Sequence, residues 1–370
     1  MTFDPAAKAS LPRPITGPVR VLEHMPQLDS VRAIAVLLVM FAHYGGPFSL
    51  WMARHGLDCG AAGVRLFFVL SGFLITGIIL RKRDLRAACR ERLNGRALRQ
   101  FYARRALRIC PLYYGILLLA FAVGVRAVRD NALWHFSCLS NWSGRTMGVS
   151  SHFWSLCVEA QFYLLWPLAA FTFSAPRLQT SLLPLWLLSL LGAGVIPNEL
   201  VARSAFSFAF LGFGCWLAVR CFVVQTPLRR RAVRPRPLLL AALFLLLCAF
   251  AGRSIFAQAQ RTSEVLAGLS EACLFLWAIE GAALGFSGLA GSVLSTGPLR
   301  YLGTISYGVY AYHLFMPALA IWILARLDWT CAPALRNGAC ALATFLVAAI
   351  SWEFYERPIL AFKPRATPDR

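Results

Sequence analysis

The stretch LDSVRAIAVLLVMFAHY, Leu28 to Tyr44, decides the fold class. It is an apolar run that carries Asp29 and Arg32 at its start and His43 near its end. An ionisable residue inside an apolar span is costly, so it is read as a functional candidate whose partner must be found. Asp29 and Arg32 are three apart, on one helix face, and can pair. His43 lies eleven residues beyond Arg32, ~16 Å further along a helix that rises 1.5 Å per residue. One helix therefore carries a cation near one membrane face and an imidazole in the opposite half. The same residues also fit an interfacial ion pair plus a hydrogen-bonded core histidine. This stretch alone leaves both readings open.

The rest of the chain fits a membrane setting. Its 370 residues are 58% hydrophobic and 14% charged, with a mean hydropathy of +0.61 and many apolar runs of spanning length. That predicts an all-α, polytopic transmembrane bundle. Ten spans are expected, at about 29–48, 63–80, 109–128, 153–173, 180–196, 204–219, 237–252, 265–285, 301–324 and 337–356. With both termini inside, the inside segments hold 26 of the 37 basic residues and the outside segments 8, with Arg32, Arg65 and Arg126 within spans. That imbalance predicts N-terminus in and C-terminus in. The expected organisation is a cytoplasmic tail at 1–27, a transmembrane domain at 28–358 and a cytoplasmic tail at 359–370. No cleavable secretory signal precedes the first span, which is read as an uncleaved anchor.

The net charge of +21 invites a nucleic-acid reading. The basic residues fall mostly in short loops between apolar spans, where they orient the protein and meet anionic lipid headgroups, so nucleic acid is not an expected partner. Eleven cysteines are scattered without a CxxC or a Cys/His metal spacing. No metal is predicted, and most of these cysteines are read as small packing residues. Cys59, Cys138 and Cys331 fall in segments placed outside, where a disulfide is chemically allowed. Asn141-Trp142-Ser143 fits a glycosylation sequon.

Several further stretches carry chemistry. GVRLFFVLSGFLITGIIL, residues 63–80, places Ser71-Gly72 at mid-depth, where small residues allow close helix approach. Arg65, near the outer end of that span, is left to snorkel, to face a cavity or to meet an acid. The basic segment 81–108 is read as a loop ending in FYARRALR. Arg105 and Arg108 share a face wherever that segment is helical, and two guanidinium forks suit phosphate oxygens. Charge bias alone also accounts for them. The outer segment holds Trp134, His135, Trp142 and His152, which fit an aromatic belt or a sugar-stacking surface. HFWSLCVEAQFYLLWP, residues 152–167, buries Glu159, which needs a partner or a proton. Glu271 and Glu280 mark the eighth span. YLGTISYGVYAYHLF, residues 301–315, sets His313 ~18 Å along its helix. His43, Glu159 and His313 are thereby expected at a common depth in the outer half.

These motifs, with the closing FYERP at 354–358, occur in the order found in the acyltransferase-3 family of integral membrane acyltransferases, which the chain resembles from about 28 to 358. The resemblance implies a ten-span catalytic domain in the bacterial inner membrane that moves an acyl group, commonly acetyl from acetyl-coenzyme A, to an exported or cell-envelope carbohydrate or glycolipid. Arg32 and His43 match the family's Arg-x10-His pattern, Arg105 and Arg108 its Arg-x-x-Arg, and Glu159 its membrane-embedded acid. A second acid often follows in the family, where this chain has Ala160. Some members carry an acid where Arg65 stands. Members with a fused esterase-like domain run longer, so no such domain is expected here.

Residues and resemblance converge on one expectation. Arg105 and Arg108, with Arg32, hold the phosphates of acyl-coenzyme A, and the pantetheine arm brings the thioester towards His43. Histidine titrates near neutrality, which suits a general base; an acyl-imidazole relay is the other route. Glu159 orients an imidazole or binds acceptor hydroxyls. The rival class is a secondary transporter whose midplane charges are ion or substrate sites; a third is a structural subunit that recruits a separate enzyme. Acceptor, acyl group and protein partners are not legible.

Overall fold

The computed structural model describes residues 25–88, 95–145, 147–223, 236–255 and 260–362. Most of both expected tails lies outside these residues, as do 89–94 of the basic segment. Among the described residues all regular structure is helical. In chain order the helices are α1 (Pro26–Tyr44), α2 (Gly46–Arg54), α3 (Cys59–Ala88), α4 (Gly95–Ala122), α5 (Arg126–Arg129), α6 (Ala132–Phe136), α7 (Phe153–Thr172), α8 (Ala175–Ala193) and α9 (Glu199–Val223). They continue with α10 (Arg236–Ile255), α11 (Gln260–Leu284), α12 (Gly288–Leu294), α13 (Gly297–Tyr312), α14 (Phe315–Arg326), α15 (Pro333–Ser351), a π-turn at Trp352–Glu356 and α16 (Arg357–Ala361).

Among the described residues, six helices are long and apolar enough to cross a membrane: α1, α3, α4, α9, α11 and α15 with its continuation. The bent pair α13–α14 makes a seventh when counted as one span. Helices α7 and α8 occupy two of the other expected segments but fall below that measure of hydropathy, and α10, in the third, holds an apolar stretch at Pro237–Cys248.

Three boundaries differ from the sequence reading, each for a local reason. The first span stops at Tyr44 and not at 48, because Gly46 takes φ +63° and Pro47 follows; neither continues an α-helix. The basic segment is mostly helix: α3 runs to Ala88 and α4 begins at Gly95, so FYARRALR lies on α4. Arginine, alanine and leucine are good helix formers and simply prolong the apolar spans. The ninth span is broken at His313–Leu314, with a 54° bend. Pro317 has no N–H, and its ring clashes with the carbonyl four residues back, which is that of His313.

Helix α1 lies between α3 and α13. One apolar cluster joins α1 and α3 to α7, α8, α9 and α11; a second joins α1 to α4, α7, α13 and α15. The candidate site falls along the seam where α1, α3, α4, α7 and α13 meet. Backbone contact tightens the α3–α9 pair: a Cβ on Gly72 would collide with the Leu211 carbonyl, and one on Gly214 with that of Val69. Gly72→Val should therefore destabilise the purified protein by ~1–3 kcal/mol, as overpacking does. Gly192→Ala is the control, since a Cβ there meets nothing within 4 Å. Thermal unfolding of the two variants in detergent checks this, and equal midpoints would show that the close approach is not structural.

Ion pairs explain several isolated charges. Asp29 pairs with Arg32 at 3.1 Å, as their spacing predicts. Arg65 Nη1 donates to Glu271 Oε2 at 2.7 Å, and Arg220 meets Glu280 at 3.7 Å. These link α3 to α11 and α9 to α11, so both acids of the eighth expected span have basic partners. Asn141 is fully buried, 3.4 Å from Ser204 Oγ, and it accepts from Gln161 Nε2 at 2.7 Å. It is a packing residue and not an accessible sequon.

Candidate active site

Two cavities share a wall. The first is lined by Arg32 of α1, Ser71 of α3, Arg105 and Arg108 of α4, Glu159 and Tyr163 of α7, and Tyr307 of α13. The second is lined by His43 of α1, Ser49 of α2, Asp58, His152 and His313. Val64 and Tyr310 line both. Tyr310 is held fast: its hydroxyl lies 2.6 Å from Ser155 Oγ and 3.1 Å from the His152 carbonyl oxygen.

The arginine cavity concentrates positive charge. Arg32 is balanced by Asp29. Arg105 lies over the rings of Phe101 and Tyr163, 5.8 Å from each centroid, which fixes its side chain without neutralising it. The one carboxylate on the lining is Glu159, which accepts a 2.5 Å hydrogen bond from Ser71 Oγ. With Arg32 balanced by Asp29, Arg105 and Arg108 against the single Glu159 carboxylate still leave an excess of guanidinium donors around the cavity, the arrangement that phosphate oxygens require. The arginine-bearing part of α4 is braced from two sides. Tyr307 donates to the Ile109 carbonyl at 2.9 Å, and Tyr355 of the closing FYERP donates to that of Pro111 at 3.0 Å.

In the histidine cavity the break at His313 is decisive. It frees backbone carbonyls near the end of α13, and side chains take them. His313 Nδ1 donates to the Tyr310 carbonyl at 2.6 Å, His152 Nε2 to that of Ala311 at 3.1 Å, and Tyr44 Oη to that of His313. A carbonyl only accepts, so each bond fixes the ring's tautomer. On α1, His43 Nδ1 donates to Val39 O at 2.9 Å, which leaves Nε2 with its lone pair. The three rings form a row, with centroids 4.7 Å apart from His43 to His313 and 4.8 Å from His313 to His152. His313 and His152 are buried, whereas His43 is exposed. Of the three, His43 is the imidazole that a ligand in the cavity can reach. Outside this row, burial holds His135 down at about 4, with its Nε2 2.9 Å from Ser150 Oγ. Among the described residues, no group of three or more His, Cys, Asp or Glu is arranged to hold a metal ion.

The five residues singled out in the sequence thus divide. Arg32, Arg105, Arg108 and Glu159 line one cavity, and His43 lines the other. His43 and His313 do meet laterally, but Glu159 stands with the arginines and Ser71, not with the histidines. The sequence reading also missed Ser71 as the partner of Glu159, and Tyr310 as the wall between the cavities. Pro317 was the available signal for the break that organises His152 and His313.

A family model described as an acyltransferase domain matches residues 25–353. The chain belongs to the acyltransferase-3 family. It is 29% identical over 367 residues to the peptidoglycan O-acetyltransferase OatA of Listeria monocytogenes, covering 91% of this chain and 56% of that protein. It is 26% identical over 370 residues to the O-acetyltransferase OatA of Staphylococcus aureus, covering 91% of this chain and 57% of the relative. The chain spans about half the length of these curated relatives. No solved structure matches it.

Proposed function

We propose that this protein is a membrane acyltransferase that moves an acyl group, acetyl in the simplest case, from acyl-coenzyme A to a hydroxyl of a cell-envelope carbohydrate. The observation that carries the reading is the pair of adjoining cavities, one rich in arginine and the other in histidine, separated by Val64 and Tyr310. Arg105, Arg108 and Arg32 bind the phosphates of the donor. The pantetheine arm passes the Val64–Tyr310 wall, and the thioester carbonyl comes within reach of His43. His43 Nε2 takes the proton of the acceptor hydroxyl as its oxygen attacks the carbonyl carbon. The carbon–sulfur bond breaks, and the imidazolium returns the proton to the departing thiolate. An acyl-imidazole relay uses the same Nε2 lone pair as nucleophile. Glu159 orients groups in the donor cavity through Ser71. The relatives named for peptidoglycan make a glycan of the envelope the first acceptor to test.

The decisive experiment incubates the purified protein with acetyl-coenzyme A and an envelope glycan acceptor and measures coenzyme A release together with acetylated product. Donor left intact, while the protein moves solute across a vesicle membrane, would replace this reading with a transporter.

In this reading the chain crosses the inner membrane ten times with both termini in the cytoplasm, as the distribution of basic residues supports. In a chain whose native cysteines are replaced, a cysteine at position 90 should be protected from an impermeant reagent in intact cells, and one at 145 should be labelled. Labelling at 90 would invert the orientation and remove the donor cavity from the cytoplasmic side.

A further inference from the structure

One cluster is unused by the acyl-transfer chemistry. Cys138 lies in the loop after α6, and Cys157 in the first turns of α7. Their thiols are near enough to act on one another, and Tyr113 and Tyr114, neighbours on α4 with ring centroids 5.1 Å apart, each reach one of the two sulfurs. Hydroxyl groups surround the two sulfurs: Ser140 Oγ is 3.0 Å and Tyr113 Oη 3.5 Å from Cys157 Sγ, and Tyr114 Oη is 3.5 Å from Cys138 Sγ. The backbone is fixed at both ends. Cys138 adopts φ 55°, a left-handed conformation unusual for a residue with a side chain, and Gln161, one turn beyond Cys157 on α7, donates to its carbonyl at 2.8 Å. Cys157 is fully buried and Cys138 partly exposed. A buried thiol beside a reachable one is the arrangement of a resolving and an attacking cysteine.

We propose that Cys138 and Cys157 are joined by a disulfide in the mature protein. The oxidant is an exchangeable disulfide of an extracytoplasmic thiol oxidant. The Cys138 thiolate attacks one of its sulfurs, forming a mixed disulfide and releasing one thiolate. The Cys157 thiolate then attacks Cys138 Sγ, the Cys138–Cys157 bond forms, and the second thiolate leaves. The two cysteines lose two protons and two electrons, and the oxidant, once protonated, departs as two thiols. Such exchange belongs to an oxidising compartment, so the inference rests on the orientation proposed above and not on the acyl-transfer reading. The bond closes a loop that contains Ser150 and His152, and it fixes the segment bringing His152 to His313. It departs from the pairing the sequence allowed, since Cys138 meets Cys157 and not Cys59 or Cys331.

The test uses the full chain in its own membrane. Cells are quenched in acid, free thiols are blocked with N-ethylmaleimide under denaturing conditions, and the protein is digested without reduction for mass spectrometry. The expected result is one peptide pair linked through Cys138 and Cys157, two hydrogens lighter than the separate peptides, which reduction splits. In Cys138→Ser the linked pair should vanish and Cys157 should carry the maleimide. Both cysteines blocked as free thiols in the unaltered chain would overturn the proposal, as would Cys157 linked elsewhere. If position 145 is labelled from outside while both thiols are free, the disulfide fails and the orientation stands. If 145 is protected, the two fail together.

Discussion

His43→Ala should lower acyl transfer by roughly 10²–10⁴-fold, the usual span for loss of a positioned acid or base, while protein level and donor binding change little. The expectation follows from where the ring stands. Nδ1 is committed to Val39 O at 2.9 Å, so Nε2 is the ring nitrogen left to serve as base, and the ring is exposed to the second cavity. Truncating an exposed side chain leaves no void in the core, which keeps the loss from being one of folding. The arginine cavity does not include His43, so coenzyme A should bind the variant with near-normal affinity. His43→Gln offers a hydrogen-bonding amide but neither a base nor a nucleophile of useful strength, so it should be as inactive as alanine. Coenzyme A release and acetylated glycan, measured against donor binding by calorimetry, check both variants. Full activity in His43→Gln would end the general-base and acyl-imidazole proposals together.

How far the sequence could lead depended on how local each contact is. Asp29–Arg32 and the common face of Arg105 and Arg108 were readable because three-residue spacing on a helix fixes adjacency. The basic segment was misread as loop because charge marks a membrane boundary without ending a helix. Arg65 was undecidable, because its partner Glu271 is 206 residues away and on another helix. Depth along a helix was readable, but the side that a residue faces was not. His43, Glu159 and His313 share an expected depth, yet Glu159 turns to Ser71 and the arginines, while His43 and His313 meet in the other cavity. The break at His313 was written in Pro317, four residues on, but an apolar run on both sides masked it. That break frees the carbonyls that hold His313 and His152, so a single proline shapes much of the histidine cavity.

Arg108→Ala should weaken coenzyme A binding by roughly ten- to hundredfold, because a charge-assisted phosphate contact is worth ~1.5–3 kcal/mol. Arg108 lines the arginine cavity, and Tyr307 and Tyr355 brace the neighbouring carbonyls of Ile109 and Pro111, so the guanidinium is presented from a fixed stretch of α4. Arg108→Lys keeps the charge but loses the planar fork, so it should recover only part of the affinity. The comparison that isolates the cause uses an acyl-pantetheine donor, which carries the thioester but no adenosine phosphates. Wild-type protein should use it poorly. Its turnover should fall far less in Arg108→Ala than turnover with acyl-coenzyme A, since the missing arginine has no phosphate to lose. His43→Ala should lower turnover with both donors by the same factor, because it acts at the thioester they share. Equal losses for the two donors in Arg108→Ala, with thermal stability unchanged, would show that Arg108 serves the chemistry or the fold of α4 and does not anchor phosphate.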